Sequence, residues 1–108
     1  MIASVTIVEQ DPPKKTKHCS AIVEVRLKDG RLFSILAATP SWFKEAFATS
    51  GLRFYFGPSI LFLRDMNSKT AREAVNKMVE EGDEWLCRYD TPRTTLAKVL
   101  ADFKAGHP

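Results

Sequence analysis

Two adjacent side chains, His18 and Cys19, are the best candidates for nucleophilic chemistry in this sequence. They follow Lys14, Lys15 and Lys17, and nearby positive charge lowers the pKa of a thiol and raises its thiolate fraction. A nucleophile also needs a base and an orienting group within reach. Because adjacent residues of a strand point to opposite faces, His18 cannot act as the base for Cys19. We therefore expect an unreactive thiol at this position.

Other catalytic and metal-binding groups are scarce. The second histidine, His107, is the penultimate residue and is expected to fray. Cys19 and Cys87 are the only cysteines and lack the CxxC spacing of zinc ligands, so we expect neither a metal nor another cofactor. Two free thiols and the lack of a secretion-signal pattern predict a cytoplasmic protein. No apolar run is as long as a membrane span, so no membrane partner is expected.

Two polar clusters have residue types that can hold ions. Residues 65–68 offer side chains that suit a helix N-terminus, where free amides can bind an anion, but such residues far more often cap the helix. Residues 80–84 are rich in carboxylates but lack the alternating ligand spacing of a calcium loop. We expect a helix cap and a solvated helix end, respectively.

A further group of side chains suits binding rather than catalysis. Aromatic and arginine side chains are favoured anchors of protein interfaces, because aromatics bury much area with few rotamers lost and arginine supplies several donors. We expect an apolar centre with an arginine rim. The predicted contact residues are Phe33, Ile35, Tyr55, Ile60, Phe62, Arg26, Arg31 and Arg53.

The elements that must position these side chains begin with a strand at 3–8, where apolar and polar residues alternate. Residues 9–18 contain two prolines and several cations without an apolar anchor, which predicts an exposed, mobile loop. The stretch 20–37 is the clearest unit, because two β-rich runs flank Asp-Gly at 29–30, the preferred two-residue hairpin turn. That turn places Val25 opposite Ser34. The core face then collects Ala21, Val23, Val25, Leu27, Leu32 and Leu36.

A second hairpin is predicted from the runs LRFYF and SILFL, which flank Gly-Pro at 57–58. Glycine can take the positive φ of a type II′ turn, and proline suits the next position. Both faces of this hairpin are largely apolar. One face is expected to join the core through Leu52, Phe54, Phe56, Leu61 and Leu63. The other would place Tyr55, Ile60 and Phe62 beside Phe33 and Ile35, away from the core.

Three helices complete the predicted fold. Thr39-Pro40 starts an aromatic helix over 40–50, Asn67 or Ser68 caps a second helix that ends at Gly82, and a third runs from Thr91-Pro92 to Gly106. Residues 83–90 alternate like a short strand but are too few to decide. The prediction is one α+β domain over 1–108 in the order βββαββαα. Its antiparallel sheet is built from two hairpins plus an N-terminal strand, with helices packed on the sheet.

The outer face of this predicted sheet is too apolar to remain in water. Three alternatives could bury this face: the helices at 40–50 or at the carboxyl end, a second copy in a homodimer, or another protein. We expect a small non-catalytic protein-interaction module or homodimer that uses an apolar sheet face.

Two other functions remain alternatives. Phe33, Tyr55 and Phe62 with the three arginines could stack bases of single-stranded nucleic acid, although the net charge of +3 is modest. A small cofactor-free enzyme on a dimeric α+β scaffold would instead need an apolar cavity beside an acid or base.

Overall fold

The computed structural model describes residues 1–82 and 84–104. Their strands are β1 (Ile2–Asp11), β2 (Ser20–Leu27), β3 (Leu32–Ala38) and β4 (Ile60–Phe62). Their helices are α1 (Pro40–Thr49), α2 (Ser68–Glu81), α3 (Glu84–Tyr89) and α4 (Arg93–Lys104). Among these described elements, none of the helices has the length and apolar character needed to cross a membrane. The predicted residues Asp83, Gly106 and His107 lie outside the described part of the chain.

The four strands form one sheet in the order β1-β2-β3-β4. β1 pairs with β2 and β2 with β3 in antiparallel fashion, whereas β4 runs parallel to β3. The α+β class is confirmed, but the sheet is mixed, so the prediction of a wholly antiparallel sheet is wrong. The difference arises at β4.

The predicted hairpin around 57–58 is absent from the structure. Parallel strands need a crossover connection of roughly a dozen residues or more, usually containing a helix. Here α1 lies between β3 and β4 and supplies that crossover. Residues 60–62 therefore pair with the edge of β3, and residues 52–56 leave the sheet and run as irregular backbone.

The first hairpin has a loop one residue longer than predicted. The backbone N–H of Leu27 donates to the carbonyl of Arg31 at 2.9 Å, and that of Gly30 donates to the carbonyl of Leu27 at 3.0 Å. Gly30 takes a positive φ of 96°, which fits the last position of a three-residue loop. Val25 consequently lies opposite Phe33 rather than Ser34.

This register exchanges the two faces of β3, because a one-residue slip moves every side chain to the other side. Phe33 and Ile35 belong to the core cluster that contains Val23 and Val25. Leu36 is buried on the opposite face, and Leu32 is 49% exposed. The prediction is correct for the β2 residues of the core face and wrong for Leu32 and Leu36.

Helices cover both faces of the sheet. On one face, α2 and α3 pack on β1 and β3, and their buried residues Ala71, Val75 and Leu86 join the larger core cluster. On the other, Leu96 and Leu100 of α4 pack with Ile22 and Leu36, next to Trp42 of α1. Of the three covers considered for the second face, the structure shows the internal one.

Local signals set the helix boundaries. Asn67 caps α2 as predicted, since its side-chain oxygen accepts from the backbone N–H of Thr70 at 2.8 Å. Thr39 precedes α1 but makes no side-chain cap hydrogen bond. The ambiguous stretch after residue 83 is helical over α3, and Asp90 then forms an isolated bridge with Ile35.

The predicted loop at 9–18 is shorter than expected, because β1 continues to Asp11. The remaining residues are tied to the rest of the fold: the backbone N–H of Met66 donates to the carbonyl of Thr16 at 2.7 Å. Ion pairs join the end of β1 to α4. Lys104 contacts Asp11 at 2.6 Å, and Arg93 binds both Glu9 and Glu24.

Candidate interaction surface

An aromatic cluster joins α1, β4, α4 and the irregular segment before β4. The ring of Phe43 lies at its centre. Its centroid is 5.5 Å from that of Phe62, 5.6 Å from Phe103, 5.8 Å from Phe47 and 6.0 Å from Tyr55. Three of these pairs meet edge to face, an arrangement that stabilises beyond the area that the rings bury. The cluster therefore fixes the position of the segment that crosses it.

Tyr55 anchors that segment. Its ring lies 5.5 Å from the ring of Phe103, and its hydroxyl donates to the carbonyl of Pro58 at 2.7 Å. Burial raises the pKa of the Tyr55 phenol, so the hydroxyl keeps its proton and its donor role at neutral pH. A half-buried tyrosine with a satisfied hydroxyl holds the backbone on either side against the fold.

The neighbours of Tyr55 point into solvent. Phe54 is 67% exposed and Phe56 is 83% exposed, and their rings stack on each other at 5.9 Å. Leu52 and Phe62 are also exposed, at 37% and 47%. We call residues 52–56 the aromatic segment. Burying a side chain of this kind stabilises by roughly 1.5–3 kcal/mol, so its exposure leaves several kcal/mol available for association.

The backbone of the aromatic segment is also unpaired. Within the described ranges, residues 53–57 take part in no backbone–backbone hydrogen bond. Backbone groups without a backbone partner can pair with another polypeptide. The segment thus combines open apolar side chains with open backbone donors and acceptors.

A groove of about 570 Å³ is lined by the aromatic segment and by α4. Its walls are largely apolar, with one cation and one carboxylate among them. The lining side chains are Leu52, Arg53, Phe54, Tyr55, Phe56, Val99, Asp102 and Phe103. Its size is within the range of ligand pockets, roughly 300–1,000 Å³.

The predicted contact residues do not share one face. Phe33 and Ile35 are 6% and 0% exposed, because the observed register turns them toward α2 and α3. Their predicted position on an open face is wrong. Tyr55 and Phe62 lie in the aromatic cluster on the opposite side of the sheet, and Ile60 is half-buried against the cluster around Leu36.

The predicted arginine rim does not surround one apolar centre, because Arg26 and Arg31 belong to the first hairpin and Arg53 to the aromatic segment. Arg26 is exposed on β2, and Arg53 lines the groove. Arg31 lies over the ring of Phe33 and contacts Asp29 at 2.9 Å. The pKa of Asp29 lies below its usual value. The main cause is the hydrogen bond from the backbone N–H of Arg31, and the guanidinium of the same residue lowers the pKa further. Since Phe33 lies on the opposite side of the sheet from Tyr55 and Phe62, the structure does not assemble the predicted base-stacking platform.

Leu52, Phe54 and Phe56 were expected to face the core, and the structure exposes them. The error follows from the hairpin assignment. Side chains alternate between core and solvent along a strand, but those of a segment outside the sheet need not do so. The order strand, helix, strand around α1 was the available signal, since it is typical of a parallel crossover.

His18 has a structural role. Its Nδ1 lies 3.0 Å from Ser41 Oγ, and its Nε2 lies 2.6 Å from Glu45 Oε2. The Ser41 hydroxyl donates to the carbonyl of Lys17 at 3.1 Å. These contacts of His18, Ser41 and Glu45 join the loop to α1.

A shallow cleft of about 300 Å³ lies beside His18 and Glu45, and its charged side chains are paired within the chain. Asp11 pairs with Lys104, Glu45 pairs with His18, and the Thr49 hydroxyl donates to a backbone carbonyl. These bonds join β1 and the following loop to α1 and α4 at the edge of the cleft.

Cys19 is fully buried, and burial raises the pKa of its thiol. Both effects oppose the thiolate chemistry considered for it. The described residues contain no group of three or more His, Cys, Asp or Glu side chains placed to hold a metal ion. Comparison of the chain with protein-family models, curated proteins and solved structures found no match.

Proposed function

We propose that this chain is a protein-interaction module that binds through the aromatic segment 52–56. The observation that carries the proposal is the exposure of Phe54 and Phe56, two stacked aromatic rings on either side of the half-buried anchor Tyr55. Both sheet faces are covered by helices. The apolar binding surface is therefore this segment and not the sheet face that the sequence predicted.

The chemistry of the surface favours a polypeptide partner. Aromatic side chains with an adjacent arginine are typical anchors of protein interfaces, and Arg53 lies between Leu52 and Phe54. The free backbone groups of residues 53–57 can pair with a second backbone. A polyanion fits less well, because Asp102 places a carboxylate in the adjoining groove.

Photo-crosslinking tests this proposal directly. We would replace Phe56 with a benzoylphenylalanine residue, irradiate cells that make the protein, and examine the adducts by denaturing electrophoresis and mass spectrometry. The matched control carries the same residue at Arg72, which is exposed on α2 away from the segment. We expect a discrete polypeptide adduct from position 56 that the control does not form.

A second substitution distinguishes specific binding from chance collision. Phe54→Glu, combined with the crosslinker at 56, should remove most of that adduct because it places a charge on the apolar surface. The proposal would be wrong if position 56 formed no discrete polypeptide adduct, or formed the same adducts as position 72.

A further inference from the structure

We infer that the partner of the aromatic segment is a second copy of this chain, packed about a two-fold axis with Phe56 of each copy in the groove of the other. The inference rests on the proposed function and names its partner. Two-fold dimers are the commonest closed assemblies of soluble proteins, and they require one surface patch to be complementary to itself.

The shape of the surface meets that requirement. Phe56, at 83% exposed, is the most exposed large apolar side chain among the described residues, and it borders a groove that Val99 and Phe103 also line. A protrusion and an apolar recess thus lie next to each other on one chain. A two-fold rotation exchanges them, so each copy inserts one phenyl ring and receives one. The groove volume of about 570 Å³ leaves ample room for that ring.

The charges of the groove are complementary in the same way. Arg53 and Asp102 both line it, and within the described residues neither takes part in an ion pair. Two-fold packing across the groove brings Arg53 of one copy toward Asp102 of the other, twice in each dimer. A partner of unrelated sequence would have to supply both an anion and a cation at these places, whereas a second copy already has them.

The protein surface outside the groove offers a weaker alternative for self-association. Leu32 is 49% exposed at the end of the first hairpin, but it is a single side chain without an adjoining recess among the cavities described above. Scattered exposed apolar residues are ordinary on soluble proteins. Leu32 therefore provides a matched control, because Leu32→Glu adds the same charge at an exposed apolar position that does not line the groove.

The test is the mass of the purified full chain by light scattering over a wide concentration range. We expect a dimer whose dissociation constant rises by about tenfold or more in Phe56→Glu, as for a central aromatic anchor. Leu32→Glu should leave that constant unchanged. Circular dichroism would verify that each variant keeps its fold.

A charge exchange tests the geometry independently of Phe56. Arg53→Asp and Asp102→Arg should each weaken the dimer, because each places like charges together, and the double variant should regain most of the lost affinity. A monomer at every concentration, or a dimer indifferent to Phe56→Glu and to both charge changes, would overturn the inference.

The two proposals fail in different ways. If the chain is monomeric and the crosslinker at position 56 captures a different polypeptide lost in Phe54→Glu, the dimer is wrong and the interaction function stands. If the chain is monomeric and position 56 forms no discrete adduct, both are wrong. If the crosslinker at position 56 gives a product of twice the chain mass, and Phe54→Glu removes that product, both the interaction function and the dimer are supported.

Discussion

The hydroxyl of Thr39 shows what a single buried polar atom contributes. The sequence suggested that it caps α1, yet its Oγ1 accepts from the backbone N–H of Cys19 at 3.0 Å instead. The backbone N–H of Thr39 returns a 2.9 Å bond to the carbonyl of Cys19. Both residues are fully buried. Thr39 therefore joins the start of β2 to the start of α1 and satisfies a donor that water cannot reach.

Thr39→Val should lower the free energy of unfolding by about 1–3 kcal/mol, because the shape is kept while the Cys19 N–H loses its partner. Urea unfolding followed by circular dichroism measures the change. Thr95→Val is the matched control: Thr95 is exposed on α4, so its replacement should change stability by no more than about 0.5 kcal/mol. Equal effects of the two substitutions would contradict a structural role for the Thr39 hydroxyl.

At the scale of elements, the first hairpin could be located from the sequence but its register could not. Asp-Gly suits a two-residue loop, and glycine also suits the last position of a three-residue loop. The residues of the turn are therefore compatible with either loop length. The longer loop is compatible with burial of Phe33 and Ile35 beneath α2 and α3, and those helices lie more than 30 residues further along the chain. Distant packing therefore decides which face of β3 belongs to the core.

Gly30 tests the observed turn. Its φ is 96°, and a Cβ at this position would meet no atom within 4 Å, so the cost of a side chain is purely conformational. Gly30→Ala should destabilise by about 1–2 kcal/mol, since L-residues disfavour positive φ. Gly30→Asn should lose less, because asparagine visits this region more readily. If urea unfolding showed no loss in Gly30→Ala, the positive φ at residue 30 would be wrong.

The second predicted hairpin failed for a related reason. Its two runs have suitable composition, but composition does not say which edge of the sheet a strand joins. The parallel pairing of β4 with β3 sends the preceding residues across α1 and α4, where Tyr55 packs against Phe43 and Phe103. Sequence reasoning thus identified an excess of apolar side chains around 52–63 but assigned Phe54 and Phe56 to the wrong environment.

At the scale of the whole molecule, one sheet is shared by two helical layers. Each layer contains one tryptophan: Trp42 packs beside the cluster of Leu36 and Leu96, whereas Trp85 belongs to α3 on the opposite face. β2 and β3 contribute side chains to both clusters. Loss of either layer would uncover apolar residues of the same strands, so the layers should unfold together.

Paired core truncations test this coupling. Leu96→Ala in α4 and Leu86→Ala in α3 both remove fully buried side chains, and each should lower the free energy of unfolding by about 2–5 kcal/mol. Trp85→Phe leaves Trp42 as the fluorescent reporter, and Trp42→Phe leaves Trp85. We expect Leu96→Ala to shift the urea midpoint of both reporters equally, because the shared strands make unfolding cooperative. A shift seen only by Trp42 would mean that α4 is a detachable cover. In that case the second face of the sheet, with Ile22 and Leu36, would be available to a partner after all.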